Sequence, residues 1–120
     1  YGYVFSNCKI TGTGANITDL ARPWRPNAAV VFLNTEMSDA IKPAGWNNWG
    51  KVENESAARY AEYNSTGTGA RPQERVKWIT QLTKQQAALY TIENVLKTTY
   101  ANPAVVDNWN PKKVIDLYRK

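Results

Sequence analysis

The residues predict an all-β chain that turns helical in its last third. Three observations carry this expectation. Short runs of strand-forming residues recur as far as Trp78, the connections between them are long and polar, and helix-capping residues gather after Leu82. Tight hairpins use connections of about two to five residues, and these loops are far longer. Parallel strands joined by helices need an amphipathic crossover, and none lies between these runs. Stacked coils of a parallel β-solenoid satisfy the pattern, and so does a mixed sandwich.

Tyr3 to Ile10 alternates, with Val4, Ser6, Cys8 and Ile10 on one face and Tyr3, Phe5, Asn7 and Lys9 on the other. That period of two reads as a strand, with Cys8 expected as a buried, inert thiol. Thr11 to Asn16 is a loop by composition. Ala28 to Leu33, bounded by Pro26 and Asn34, reads as a buried strand. Ala57 to Tyr63 is a third candidate, followed by the glycine-rich loop Ser65 to Ala70, and Arg75 to Trp78 a short fourth. Thr83-Lys84-Gln85-Gln86 is a capping-box pattern with Leu82 as its staple, and Ala87 to Leu89 continue that helix. Thr91 starts a second helix carrying Ile92, Val95 and Leu96. Asn110-Pro111 reads as an N-cap with proline at the first helical position, ahead of a face of Val114, Leu117 and Tyr118. The chain reads as one continuous unit, and no internal repeat is visible in the letters.

A chain of 120 residues is one domain or a piece of a larger one. It has no histidine, which excludes Ser-His-Asp and Cys-His machinery and any His-ligated metal. Its single cysteine excludes an internal disulfide and a cysteine-based zinc site. Chemistry must therefore come from carboxylates, Arg, Lys, Tyr, Ser or Thr. The net charge of +5 favours polyanionic partners. The charges are scattered, densest at Arg71 to Lys77 and at the end, so a solvated basic surface is the plain reading. A nucleic-acid binder would need a basic helix or motif, and neither is present. No apolar run reaches the roughly 18 residues of a membrane span. The start lacks Met and the basic region of a signal peptide, as expected of a fragment or a processed chain. Asn16-Ile17-Thr18, Asn54-Glu55-Ser56 and Asn64-Ser65-Thr66 are glycosylation sequons.

The densest chemical segment is Leu20-Ala21-Arg22-Pro23-Trp24-Arg25-Pro26. Its prolines fix φ, which suits a bend that presents side chains in one orientation. Arg22 offers a planar fork of donors for a carboxylate, and Trp24 a flat apolar face for a sugar ring. The bland reading is an indole capping a core beside solvated arginines. A second aromatic segment, Gly45-Trp46-Asn47-Asn48-Trp49-Gly50, makes Trp46 and Trp49 either substrate platforms or side-wall plugs. No pair of carboxylates stands out as an acid–base couple.

Tyr3 to Gly12, Leu20 to Trp24 and Ala29 to Met37 resemble, in order and close to the spacing, the C-terminal half of a pectinesterase (carbohydrate esterase family 8). Gly45-Trp46 with Trp49, Tyr60 to Asn64, Gly67 to Gly69 and Arg75 to Trp78 extend the resemblance as far as Leu96. It implies a right-handed parallel β-helix, coils over residues 1 to about 80, followed by helices over about 81 to 120. The whole of 1–120 is then the C-terminal part of a pectinesterase catalytic domain. The implied activity is hydrolysis of polygalacturonate methyl esters to pectate and methanol, with no metal or organic cofactor. The implied partner is pectin (homogalacturonan), with no nucleic acid and no membrane. The implied full-length protein is a monomer, secreted to the extracellular space or cell wall, or periplasmic or cell-surface in a bacterium.

Two aspartates do the family's chemistry, one as nucleophile and one as general acid and then base. The arginine of a Leu-Gly-Arg-Pro-Trp motif bonds the nucleophile, and the tryptophan binds substrate. By resemblance the catalytic role falls to Arg22, and substrate binding to Arg22 and Trp24. Two departures matter. Ala21 stands where the family has glycine, at a cost of about 1–2 kcal/mol if that position needs φ > 0 and little otherwise. The family's aspartate motifs lie upstream of this region, and Asp19, Asp39, Asp107 and Asp116 match neither. The chain alone is therefore expected to be marginally stable, edge-exposed and inactive. The rival reading is a non-catalytic carbohydrate-binding or structural remnant using Trp24, Trp46 and Trp49.

Overall fold

Asparagines set the corners. Asn7, Asn34 and Asn64 each follow a strand and adopt a left-handed backbone, with φ of 55°, 48° and 51°. Asparagine tolerates this conformation because its short amide can bond locally. In the computed structural model, which describes residues 1–97 and 109–119, the first corner divides the strand expected over Tyr3 to Ile10 into β1 (Tyr3–Ser6) and β2 (Lys9–Ile10). The next separates β3 (Ala29–Leu33) from β4 (Glu36–Met37), and the third ends β5 (Arg59–Tyr63). The corners stack: Asn7 N donates to Leu33 O and Asn34 N to Tyr63 O, both at 2.9 Å, and Asn64 Nδ2 donates to Asn34 Oδ1 at 2.9 Å. Each is followed by a small residue, Cys8, Thr35 or Ser65. These corners are an internal repeat that the letters hide, because little else recurs.

β1, β3, β5 and β6 (Thr80–Gln81) form one parallel sheet in that order, with Tyr3 opposite Val30 and Val30 opposite Tyr60. β2 and β4 form a second, with Lys9 opposite Glu36, and a bridge from Glu36 to Thr66 continues it. A third line of parallel bridges joins Thr18 to Ile41 and Ala21 to Trp46. Successive passes of the chain therefore lie on one another along three sides. Every strand pairing among the described residues is parallel, which a mixed sandwich would not give. The short strand expected at Arg75 to Trp78 lies instead at β6. Arg75 turns inward to an ion pair and Val76 N donates to Ala44 O at 3.1 Å, so this segment does not join the ladder.

The interior holds Phe32, Met37, Ile41, Trp46 and Tyr60. Aromatic contacts run through it: Phe5 stacks on Phe32 at 4.7 Å, Trp46 lies 4.7 Å from Tyr60, and Tyr60 lies 5.9 Å from Trp78. On the outer face, Val31, Leu33 and Ala61 are covered by Leu82, Ala87 and Tyr90. The capping box forms as expected at α2 (Lys84–Ala87), where Gln86 N donates to Thr83 Oγ1 at 3.2 Å and Thr83 N to Gln86 Oε1 at 2.9 Å. Thr91 caps a further helix, Ile92–Leu96, and Asn110 caps Pro111–Tyr118. One short helix was not expected: α1 (Asn54–Ala57), just before β5. Cys8 is partly exposed rather than buried: it lies at the corner between β1 and β2, and among the described residues β1 pairs with β3 alone.

Candidate active site

The site begins at the bend. Ala21 bridges Trp46, and Asn47 N donates to Ala21 O at 3.2 Å, which ties this segment to the next pass of the chain. Ala21 is not among the residues with positive φ, so its methyl group costs no backbone strain. Pro23 is buried, and its ring fixes the turn. Arg22 and Trp24 flank it and reach solvent, Trp24 with 72% of its surface exposed.

The second segment sends its two indoles in opposite directions. Gly45 has φ +72°, and a Cβ there would sit 2.6 Å from Arg75 Cδ, so only glycine fits. Trp46 turns inward, 2% exposed, and its Nε1 donates to Glu62 Oε2 at 3.1 Å. A buried indole whose single donor is satisfied is a core residue, and the structure does not bring Trp46 to the surface as a platform. Trp49 turns outward, 40% exposed, with φ 61°. A bulky residue in that region carries strain of about 1–3 kcal/mol, and such residues gather at functional sites. The conformation is held by Trp49 N donating to Asn47 Oδ1 at 2.8 Å and Gly50 N to Asn48 Oδ1 at 2.9 Å.

Arg22, Trp24 and Trp49 thus meet on one surface. The Arg22 guanidinium carbon lies 4.7 Å from the Trp49 ring centroid, and the Trp24 and Trp49 rings are 5.9 Å apart. Among the described residues the guanidinium makes no hydrogen bond or ion pair, so its donors stay available to a ligand while the indole face holds its plane. An open cleft of about 380 Å³ adjoins Arg22, with Thr18, Asp19 and Lys42 in its wall. Asp19 is paired with Lys42 at 3.5 Å. Among the described residues no three His, Cys, Asp or Glu side chains converge to hold a metal ion, and no helix is long and apolar enough to cross a membrane.

Beneath the surface lies a polar network that sequence reasoning missed. Arg75 Nε donates to Glu62 Oε2 at 2.8 Å and Nη2 to Glu62 Oε1 at 3.3 Å, with both side chains almost wholly buried. Further donors of Arg75 reach Pro43 O at 3.1 Å and Gly69 O at 2.7 Å, and Ser65 Oγ donates to Glu62 Oε1 at 3.1 Å. A buried pair satisfied this fully can bind three segments together. The signal was available: Glu62 shares the inward parity of Tyr60 on β5. Between Trp46 and Trp78, burial pushes the Tyr60 phenol above its ordinary value of 10.0. Asn54, read as a sequon, is 3% exposed, and its Nδ2 donates to Pro23 O at 3.2 Å and Asn48 O at 3.0 Å. A glycan would need that nitrogen, so the sequon is closed in the folded chain, whereas Asn16 and Asn64 are exposed.

A stack of parallel strands thus carries an exposed arginine and two exposed indoles on one side. The chain belongs to the pectinesterase family, whose sequence pattern matches residues 1–99. It is 47% identical over 96 residues to pectinesterase 2 of Olea europaea, covering 77% of this chain and 25% of that protein. It is 44% identical over 87 residues to pectinesterase 31 of Arabidopsis thaliana, covering 72% of this chain and 27% of that one. Among solved structures, a pectin methylesterase variant in complex with a hexasaccharide superposes with a TM-score of 0.64 at 30% identity, covering 85% of this chain and 36% of that one. The carrot pectin methylesterase gives a TM-score of 0.59 at 30% identity, over 63% of this chain and 25% of that one. The chain thus spans about a quarter of the length of the curated relatives it matches.

Proposed function

We propose that this chain is the C-terminal part of a secreted, monomeric pectin methylesterase, and that it supplies Arg22, Trp24 and Trp49 to a galacturonan site. The observation that carries the reading is the convergence of an uncommitted guanidinium and two exposed indoles within a chain of the pectinesterase family. In-register parallel pairing supports a finer description of the fold: coils of a right-handed parallel β-helix over residues 1 to about 80, followed among the described residues by the helices Lys84–Ala87, Ile92–Leu96 and Pro111–Tyr118. The two indoles hold sugar rings by stacking, and Trp46 takes no part at the surface.

The chemistry needs two carboxylates, supplied by another part of the whole enzyme. One attacks the ester carbonyl carbon, forming an acyl-enzyme as methoxide leaves with a proton from the other. The second carboxylate then takes a proton from water, which hydrolyses the acyl-enzyme and leaves a galacturonate. Arg22 bonds the nucleophile and keeps it ionised. In the whole enzyme, Arg22→Ala is expected to lower kcat for methanol release from methyl-esterified polygalacturonate by about a hundredfold. A rate equal to that of the unaltered enzyme would refute the role. Galacturonan binding that depends on Trp24, with no methanol release by the whole protein, would favour a carbohydrate-binding remnant instead.

A further inference from the structure

We infer that Asn54 is a positioning residue that sets the relative placement of Trp24 and Trp49. Its carboxamide nitrogen carries two hydrogens, and both are committed: one to Pro23 O at 3.2 Å, the other to Asn48 O at 3.0 Å. These are the carbonyls that directly precede Trp24 and Trp49 in the chain. One buried amide therefore grips the peptide unit leading into each exposed indole.

The two indoles stand on different passes of the chain. The last backbone hydrogen bond between their segments is Asn47 N to Ala21 O at 3.2 Å. Beyond it, among the described residues, hydrogen bonding between the segments runs through Asn54. Asn54 is itself anchored, because its N donates to Lys51 O at 3.1 Å and its O accepts from Ala58 N at 2.8 Å. The next residue tightens the grip: Asn48 Nδ2 donates to Glu55 Oε1 at 3.2 Å. Neither aspartate nor serine does the same work. Aspartate would turn acceptor oxygens toward two carbonyls, and serine brings one hydrogen on a shorter arm. The ring spacing of 5.9 Å set in this way fits the pair to adjoining parts of one saccharide chain, which rests on the galacturonan reading above.

The test uses the whole protein labelled with 5-fluorotryptophan, its fluorine resonances assigned by single Trp→Phe variants. Asn54→Ala is expected to shift or broaden the Trp24 and Trp49 resonances and to leave those of Trp46 and Trp78 in place. It should also raise KM for methyl-esterified galacturonan about tenfold, with kcat changed by less than about threefold. Unmoved Trp24 and Trp49 resonances overturn the inference, as does equal displacement of all four, which marks a merely structural residue. So do displaced resonances with an unchanged KM in an active enzyme. Should Asn54→Ala not fold, Asn54→Ser is read in the same way. In the unaltered protein the Asn54 carboxamide hydrogens should exchange slowly with solvent, and fast exchange refutes the clamp. Failure of the unaltered protein to bind galacturonan, with both resonances still displaced by the substitution, would sink the sugar reading and leave the positioning intact.

Discussion

Indoles only three residues apart have opposite roles, and the backbone at Trp49 decides which is which. Trp46 fills the interior and spends its N–H on Glu62, whereas Trp49 is thrown outward by a left-handed turn. Trp46→Ala is expected to cost about 3–5 kcal/mol in denaturant unfolding of the whole protein. Trp24→Ala should stay within about 0.5 kcal/mol of the unaltered stability and yet weaken galacturonan binding by calorimetry. A reversal of these two effects would contradict the assignment. Tyr60 gives a prediction in pH. Burial raises its folded-state pKa above the unfolded value near 10.0, so its contribution to stability is whole below that pH and is lost as pH rises through the folded pKa. Tyr60→Phe should therefore gain stability relative to the unaltered protein only above pH 10.0, and a difference independent of pH would argue against burial as the cause. Arg22 and Trp24 were legible as a pair because a proline stands between them. The destination of each indole in Gly45 to Gly50 was not, since Trp46 and Trp49 share the same local composition.

Elements marked by local chemistry were readable. The Thr83 capping box and the Asn110-Pro111 start lie where the letters put them, because a cap is satisfied within one turn. The strands at Ala29–Leu33 and Arg59–Tyr63 were also visible as apolar or alternating runs. The division of the first strand at Asn7 was not, because alternation continues unbroken across the corner. The short pairs at β2, β4 and β6 carry too few residues to show a period, and neighbouring passes of the chain define them. The Glu62–Arg75 pair holds such passes together, and its removal should be felt across them. Arg75→Ala strands a buried carboxylate and is expected to cost about 3–5 kcal/mol, read from thermal or denaturant unfolding. A loss under about 1 kcal/mol would mean that Glu62 finds water or another partner.

At the scale of the 120 residues taken by themselves, β1 lies at the edge of the four-stranded sheet. Tyr3 is 75% exposed, and Phe5 stacks on Phe32 while remaining 42% exposed itself. An edge with unpaired backbone and aromatic side chains invites pairing with another strand. The 120-residue chain by itself is expected to self-associate in sedimentation, with Phe5→Lys reducing the association, and to release no methanol from pectin. Monomeric behaviour at high concentration, or measurable esterase activity, would contradict the two expectations respectively. The amino-acid sequence by itself determined what depends on neighbours along the chain: the helix caps, the main strand runs, the proline-braced Arg22 and Trp24, and the family. The tertiary structure alone decided what depends on passes stacked far apart in sequence: the asparagine corners, the burial of Trp46, the outward turn of Trp49 over Arg22, and the grip of Asn54 on both carbonyls. The physical reason is that caps and bends are closed by bonds a few residues apart, whereas these contacts join segments whose separation the local letters do not encode.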